Sequence, residues 1–245
     1  MNIQVWSDFV CPFCYIGKRR LELALEQLPF KDDVEVEFKS FELDPNASFY
    51  SGKSIHEALA SKYGMSVERA KEMNKGVGEQ AASVGLTYNF DEMKPTNTFT
   101  AHRLAKFAKD KGSEVEKKMT EKLLYAYFTE SRLISDEETL ADIAEEVGLN
   151  RQEALEVIKD TNKYANEVRI DESVAQQYGI TGVPFFIINQ KYAISGAQPL
   201  ETFTSALQKV WEEEHPKPTF QDLSTNTDAI CTDDGCTIPN QKDSK

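Results

Sequence analysis

The period of the hydrophobic positions changes twice within the first forty residues. Ile3-Gln4-Val5-Trp6 alternates apolar and polar side chains as a half-buried strand does, and Ser7 to Val10 lead out of it. From Pro12 onward, Ile16, Leu21, Leu23, Leu25 and Leu28 recur at roughly helical spacing. Lys18, Arg19, Arg20, Glu22 and Glu26 lie between them, and the three basic residues read as a solvated helix face. Alternation returns from Val34 to Phe41 and predicts a second strand. Strand, helix, strand in that order calls for parallel pairing through a crossover helix.

From Ser54 to about Tyr178 strand signals almost vanish. Ser54-x-x-Glu57, Ser135-x-x-Glu138 and Asn150-x-x-Glu153 mark helix starts, and Gly64, Gly85 and Gly148 sit where helices would stop. Residues 63–66, 91–95 and 112–113 read as connections. Strand signals resume at Pro184-Phe185-Phe186-Ile187-Ile188, followed by a turn at Asn189-Gln190-Lys191 and a short strand at Tyr192-Ala193-Ile194, a hairpin pattern. A helix from about Leu200 to Trp211 follows. The predicted fold class is α/β, a thioredoxin fold with an all-helical insertion. The thioredoxin-like domain is discontinuous, residues 1–53 and 179–213, and the helical insertion domain covers 54–178. Residues 214–245, rich in Pro, Asp, Thr and Asn, read as a flexible tail carrying a C-x4-C pair.

The chemistry sits at the first strand-to-helix junction, in Cys11-Pro12-Phe13-Cys14. Proline is tolerated in the first turn, where its missing N–H would have had no intrahelical partner. Cys11 is then the N-cap, where free N–H groups and the helix dipole favour a thiolate, and it reads as the nucleophile. Cys14, one turn deeper, is placed to attack a mixed disulfide on Cys11 and release the substrate. The alternative is half of a zinc site. A closed site needs four ligands, and the other two thiols, Cys231 and Cys236, lie far along the chain, so no metal is expected.

Composition narrows the setting. Forty-one acidic against 28 basic residues give a net charge of −13, which argues against a nucleic-acid partner. No apolar run approaches the roughly 18 to 20 residues that span a bilayer, so no membrane association is expected. The chain enters a strand at once, without a leader pattern, which points to the cytoplasm. In that compartment the cysteine pairs are expected to be transient and catalytic rather than structural staples.

Val183-Pro184 precedes the third strand, and a cis bond there would expose the Val183 backbone beside the cysteines, able to pair with an extended peptide. Ser7 to Gly17, Gly182-Val183-Pro184-Phe185-Phe186, Ser195-Gly196-Ala197-Gln198 and Asn97 to Leu104 together resemble the DsbA family of thiol:disulfide oxidoreductases, specifically its cytoplasmic FrnE-like branch. The resemblance spans about residues 1–213. It implies a thioredoxin fold with a helical insertion, a nucleophilic Cys11, a resolving Cys14 and a cis Pro184. Pro12, Phe13, Val183 and Pro184 would contact a protein thiol or disulfide substrate. Members resembling that branch also carry a second C-x4-C pair, matched by Cys231 and Cys236. These could form a small disulfide ring with an Asp-Gly turn, and a shuttle to the first pair stands beside passive or free thiols; Asp233 and Asp234 disfavour a thiolate there.

Strongly oxidising DsbA proteins carry His where Phe13 stands, so a reduction potential between about −120 mV (DsbA) and −270 mV (thioredoxin) is expected. No cofactor is required, although glutathione can serve as a redox partner; the physiological redox partner is left open. Two other functions fit parts of the pattern. One is a glutathione-dependent isomerase or transferase similar to 2-hydroxychromene-2-carboxylate isomerase or the kappa class, which use Ser in place of Cys11. The other is a holdase chaperone built on the helical block. Among remaining residues, His102 reads as a core or helix-surface histidine, and Asp8 as a turn or capping residue with proton acceptance for Cys14 as the alternative. His56 and His215 have no partners at ligand spacing, and Gly76-x-Gly78 is too weak for a phosphate site.

Overall fold

A computed structural model describes residues 1–216 together with the backbone of residues 230–232 and 235–237. Two compact units are present, Met1–Lys209 and Val210–Lys245. In the first, β1 (Asn2–Ser7) leads to α1 (Pro12–Glu26), a 3₁₀ turn at Lys31–Asp33, and β2 (Glu35–Ser40). The strands pair in parallel, from Asn2 opposite Glu35 to Ser7 opposite Ser40, as a crossover helix requires. The helices α2 (Ile55–Tyr63), α3 (Val67–Ala82), α4 (Phe99–Asp110), α5 (Ser113–Phe128), α6 (Glu137–Glu146), α7 (Arg151–Lys159) and α8 (Ala165–Gln177) follow in succession. The chain returns to the sheet as β3 (Phe185–Ile188) and β4 (Tyr192–Ser195), then forms α9 (Leu200–Glu214).

The sheet order is β2-β1-β3-β4, with β3 antiparallel to both neighbours. This is the thioredoxin arrangement expected from the pattern. Asn189 and Gln190 both take positive φ, and Lys191 N–H closes on Ile188 C=O at 3.0 Å, the geometry that suits the twist of a tight hairpin. β1 departs from strict alternation at its end, where Trp6 and Ser7 are both buried. The reason is its central position, covered on both faces.

Ser54 and Glu57 form the reciprocal capping box, and Asn150 accepts from Glu153 N–H at 3.0 Å, as their spacing predicts. The start assigned to Ser135 moves by one residue: Asp136 is the N-cap of α6 and accepts from Thr139 N–H at 2.9 Å. Ser135 Oγ instead donates to Phe49 C=O. The larger core cluster joins Leu104 of α4, Leu123 and Tyr127 of α5, and Leu140 of α6 to Phe9, Tyr15 and Ile16 of the first strand-to-helix segment. Side chains from the helical block therefore wall the region around Cys11 and Cys14.

Two buried charged residues lock this packing. Asp171 of α8 accepts Trp6 Nε1–H on its backbone C=O at 3.0 Å and Ser40 N–H on its carboxylate at 2.8 Å, and that carboxylate also pairs with Lys106 of α4. Arg103, within the Asn97–Leu104 stretch, donates to the C=O groups of Val157, Ile158 and Asp160 at 2.7 to 3.0 Å, satisfying the open C-terminal end of α7.

In the second unit, β5 (Ile230–Thr232) and β6 (Gly235–Thr237) pair antiparallel with Cys231 directly opposite Cys236. Gly235 lies in β6 opposite Thr232 rather than in the turn. Asp233 and Asp234, the side chains of both cysteines, and most of the segment read as a flexible tail lie outside the described residues.

Candidate functional site

Cys11 is the N-cap of α1, with extended backbone (φ −88°, ψ 112°) and Pro12 following it in the first turn. Its N–H donates to Asp8 C=O at 3.2 Å, and Cys14 N–H donates back to Cys11 C=O at 3.0 Å. Both cysteines are free thiols and both are largely covered, with 5% of Cys11 and 2% of Cys14 exposed. The Cys11 thiol donates to Val183 C=O at 3.5 Å. Phe13, between the two cysteines, is 39% exposed. The Val183–Pro184 bond is cis.

The three motifs that lie far apart in sequence meet around Gly17. A Cβ placed there would stand 3.0 Å from Pro184 Cγ, 3.2 Å from the Phe186 ring and 3.5 Å from Ala197 Cβ. Gly196 N–H donates to Pro184 C=O at 2.8 Å, and Arg20 donates to Ala197 C=O at 2.6 Å. Gly17 thus lets α1 approach the Pro184 segment closely, which holds the Cys11 thiol beside Val183.

The basic run on α1 is not the solvated face its local pattern suggests. Lys18 is buried and pairs with Glu22 and Glu121, Arg19 reaches Glu121 at 2.9 Å, and Tyr15 O–H donates to Glu121 at 2.6 Å. Glu121 comes from α5, so the charge that draws these side chains inward is invisible in the local sequence. Tyr88 completes this layer: its O–H donates to Pro12 C=O at 2.7 Å, and its ring stacks on Phe128 at 4.5 Å.

Burial pushes the Cys14 thiol well above its ordinary range, and the hydrogen bond and charge of Cys11 push the same way. The hydrogen bonds from the Ser7 hydroxyl and the Asp8 backbone N–H, the latter at 3.5 Å, act in the opposite direction. The Asp8 carboxylate is engaged elsewhere. One oxygen accepts from Leu43 N–H at 2.8 Å and the other meets His102 Nε2 at 3.2 Å. His102 is buried with its ring 4.7 Å from that of Phe9, so the core reading of His102 holds, with a partner the sequence did not reveal. His56 also has partners, Asp91 at 3.1 Å and Asn74 at 3.0 Å, and His215 contacts Trp211 C=O. Among the described residues no cluster of three or more His, Cys, Asp or Glu side chains is arranged to hold a metal, and no helix is long and apolar enough to cross a membrane. Gly76 and Gly78 lie inside α3.

Sequence reasoning quoted Ser7 and Gly17 only as the ends of one motif and gave neither a role, and it missed Tyr88 and Glu121, whose partners lie on distant elements. Glu116 stands at helical spacing with Met119, Leu123 and Tyr127, an acid on the buried stripe of α5.

Comparison with known proteins agrees with this fold. The uncharacterized protein YwbO of Bacillus subtilis (strain 168) is 31% identical over 215 residues, covering 84% of this chain and 96% of that protein. The crystal structure of a probable DsbA oxidoreductase, SCO1869 from Streptomyces coelicolor, is 38% identical and superposes with a TM-score of 0.82, covering 98% of this chain and 99% of the other. A 2-hydroxychromene-2-carboxylate isomerase shares the fold at 14% identity and a TM-score of 0.65, over 89% of this chain and all of its own. The DSBA-like thioredoxin domain model matches residues 2–208, and the chain belongs to that family.

Proposed function

We propose that this protein is a thiol:disulfide oxidoreductase that exchanges disulfides with protein substrates through Cys11 and Cys14. The observation that carries the reading is the paired placement of two free thiols at the N-terminus of α1, with the Cys11 thiol against Val183 C=O. Cys11 sits where a helix end favours an anion, and its thiolate attacks one sulfur of a substrate disulfide. The substrate S–S bond breaks, one substrate sulfur leaves as a thiolate, and the other remains bonded to Cys11. Cys14 then attacks Cys11 Sγ, the mixed disulfide breaks, and the second substrate thiolate departs. Two electrons pass to the substrate and a Cys11–Cys14 disulfide remains. Run backward, the same steps oxidise a dithiol, and partial reversal isomerises a wrong disulfide. Phe13 offers an exposed apolar contact, and the Val183 backbone, displaced from the thiol, would hold an extended peptide.

The Cys231–Cys236 pair, directly opposed in its hairpin, is read as a second dithiol able to exchange with the first. A Cys231→Ser, Cys236→Ser double variant with wild-type oxidation and isomerisation rates removes that part.

The main reading is tested by trapping. Cys14→Ser should accumulate mixed disulfides between Cys11 and cellular proteins, visible on non-reducing gels and by mass spectrometry, and Cys11→Ser should accumulate none. Capture of glutathione and never of protein would favour a glutathione-dependent isomerase or transferase. Suppression of aggregation that survives Cys11→Ser, without any trapped protein, would favour a chaperone.

A further inference from the structure

Both cysteines are held by the backbone of one residue in the loop before α1. Asp8 accepts Cys11 N–H on its C=O at 3.2 Å, and its own N–H points at Cys14 Sγ at 3.5 Å. Two opposite backbone groups of a single residue serve both cysteines only while that residue is held still, so whatever fixes Asp8 fixes the geometry of the pair. Asp8 is 1% exposed, and its carboxylate has two partners outside the loop: Leu43 N–H at 2.8 Å and His102 Nε2 at 3.2 Å. A carboxylate only accepts, so His102 donates from Nε2.

His102 is the contact that comes from the helical block. It lies on α4, is buried, and sets its ring 4.7 Å from that of Phe9, so it holds two successive residues of the loop. Its neighbours on α4 keep the helix in place. Arg103 donates to Val157 C=O and Ile158 C=O at the end of α7, while Lys106 donates to Phe38 C=O at 3.2 Å and pairs with Asp171 of α8. The Asn97 to Leu104 stretch, which takes no part in the exchange steps themselves, therefore reaches the cysteines through one hydrogen bond and one ring contact.

We propose that His102 is a positioning residue for the resolving step: it holds Asp8 so that the Asp8 N–H is aimed at Cys14 Sγ, and it thereby sets how fast Cys14 attacks. This rests on the exchange reading above. In that step the Cys14 thiol gives its proton to solvent and its sulfur bonds to Cys11 Sγ. The bond from Cys11 to the substrate sulfur breaks, and that sulfur leaves as a thiolate carrying the electron pair. Between losing its proton and completing the new bond, Cys14 carries negative charge, and a hydrogen bond to a charged atom is stronger than one to a neutral atom. The Asp8 N–H thus favours the attacking sulfur over the resting thiol. A buried polar pair such as Asp8 and His102 adds little stability over apolar residues of the same volume; what it adds here is a fixed orientation. His102 acts without touching the reacting sulfurs.

Stopped-flow reaction of the reduced protein with 5,5′-dithiobis(2-nitrobenzoate) separates the steps. Attack by Cys11 releases the first nitrothiobenzoate at a rate set by reagent concentration, and attack by Cys14 releases the second at a rate independent of it. The amide of His102→Asn reaches only as far as Nδ1 and falls short of Asp8. This variant should slow the second phase about tenfold and leave the first within about threefold of wild type. His102→Gln places an amide nitrogen where Nε2 stands and should restore the second phase to within about threefold. Leu104→Ala, a cavity on the same helix, should lower the melting temperature and leave both phases unchanged. Asp8→Asn keeps an acceptor for Leu43 N–H and a partner for His102, so it should not slow the second phase. A slowed second phase there would show that the charge of Asp8 and not its placement matters, and would overturn the proposal even where His102→Asn fails to fold. If His102→Asn, folded by circular dichroism, resolves at the wild-type rate, or if His102→Gln or Leu104→Ala is slowed as much as His102→Asn, His102 does not position Cys14 and exchange through Cys11 stands. Absence of any first phase in the wild type overturns both.

Discussion

Replacing glycine by alanine inside two different helices of this protein should have opposite effects, because only one of the two glycines is in close contact. Gly76 sits on the exposed side of α3, and a Cβ there meets nothing within 4 Å. Gly76→Ala should therefore stabilise the fold by about 0.5–1 kcal/mol, the usual gain from restricting the unfolded chain and improving helix propensity. Gly17→Ala receives the same gain but drives its methyl to 3.0 Å from Pro184 Cγ and 3.2 Å from the Phe186 ring. Phe186 belongs to the buried strand β3 and Pro184 immediately precedes it, so the strain falls on the helix-to-sheet packing, at about 1–3 kcal/mol for an overpacked core site. The expected net is a loss of about 0–2.5 kcal/mol and a gap between the two variants of about 1–3 kcal/mol. Urea unfolding would resolve that gap. In a chain of this size 1 kcal/mol corresponds to a melting shift of about 2–4 °C, so the two melting curves should move in opposite directions or differ by several degrees. Gly17→Ala should also slow attack by Cys11, because a displacement of a few tenths of an ångström moves α1 relative to Val183. If both variants are stabilised alike, the approach of α1 to Pro184 is not tight and the convergence of motifs at Gly17 has been misread.

Asp171→Ala should cost about 3–5 kcal/mol, since it strands a buried Lys106 and the Ser40 N–H, whereas Asp171→Asn should cost less by keeping an acceptor for Ser40; chemical denaturation of the two variants compares them. Glu116 binds its proton more tightly folded than unfolded, so its unfavourable contribution grows as pH rises from about 4.5 to 7 and stays constant above. Glu116→Gln should gain on the wild type by at most about 3 kcal/mol between pH 4.5 and pH 8, and a difference independent of pH would refute the assignment. Glu37 shows the opposite sign. Burial raises its carboxyl, but hydrogen bonds from Lys109 and Lys39 outweigh this and bring it to about 2, so its contribution is complete above the ordinary carboxylate range and is lost toward pH 2; Glu37→Gln should flatten the acid limb of the unfolding profile.

The local pattern carried what depends on neighbours along the chain. The alternation of Ile3 to Trp6 and of Val34 to Phe41, the helical block after Ser54, the hairpin at Asn189 and the N-cap position of Cys11 all follow from periodicity and turn chemistry, which act over a few residues. The placement of Cys11 and Cys14 at the start of α1 was legible for the same reason, since a C-x-x-C at a strand-to-helix junction declares itself in one turn. Tertiary structure decided whatever required a partner from a distant element. Lys18 and Arg19 looked solvated until α5 brought Glu121 to them. Asp8 looked like a possible acceptor until Leu43 and His102 occupied its carboxylate. Glu116 carried only an anomaly, an acid on an apolar stripe, until the fold buried it and pushed its carboxyl up. A charge or hydrogen bond is set by the three-dimensional distance between its partners, and Gly17 is the clearest case: its lack of a side chain matters only because Pro184, far along the chain, arrives within 3.0 Å of where one would be.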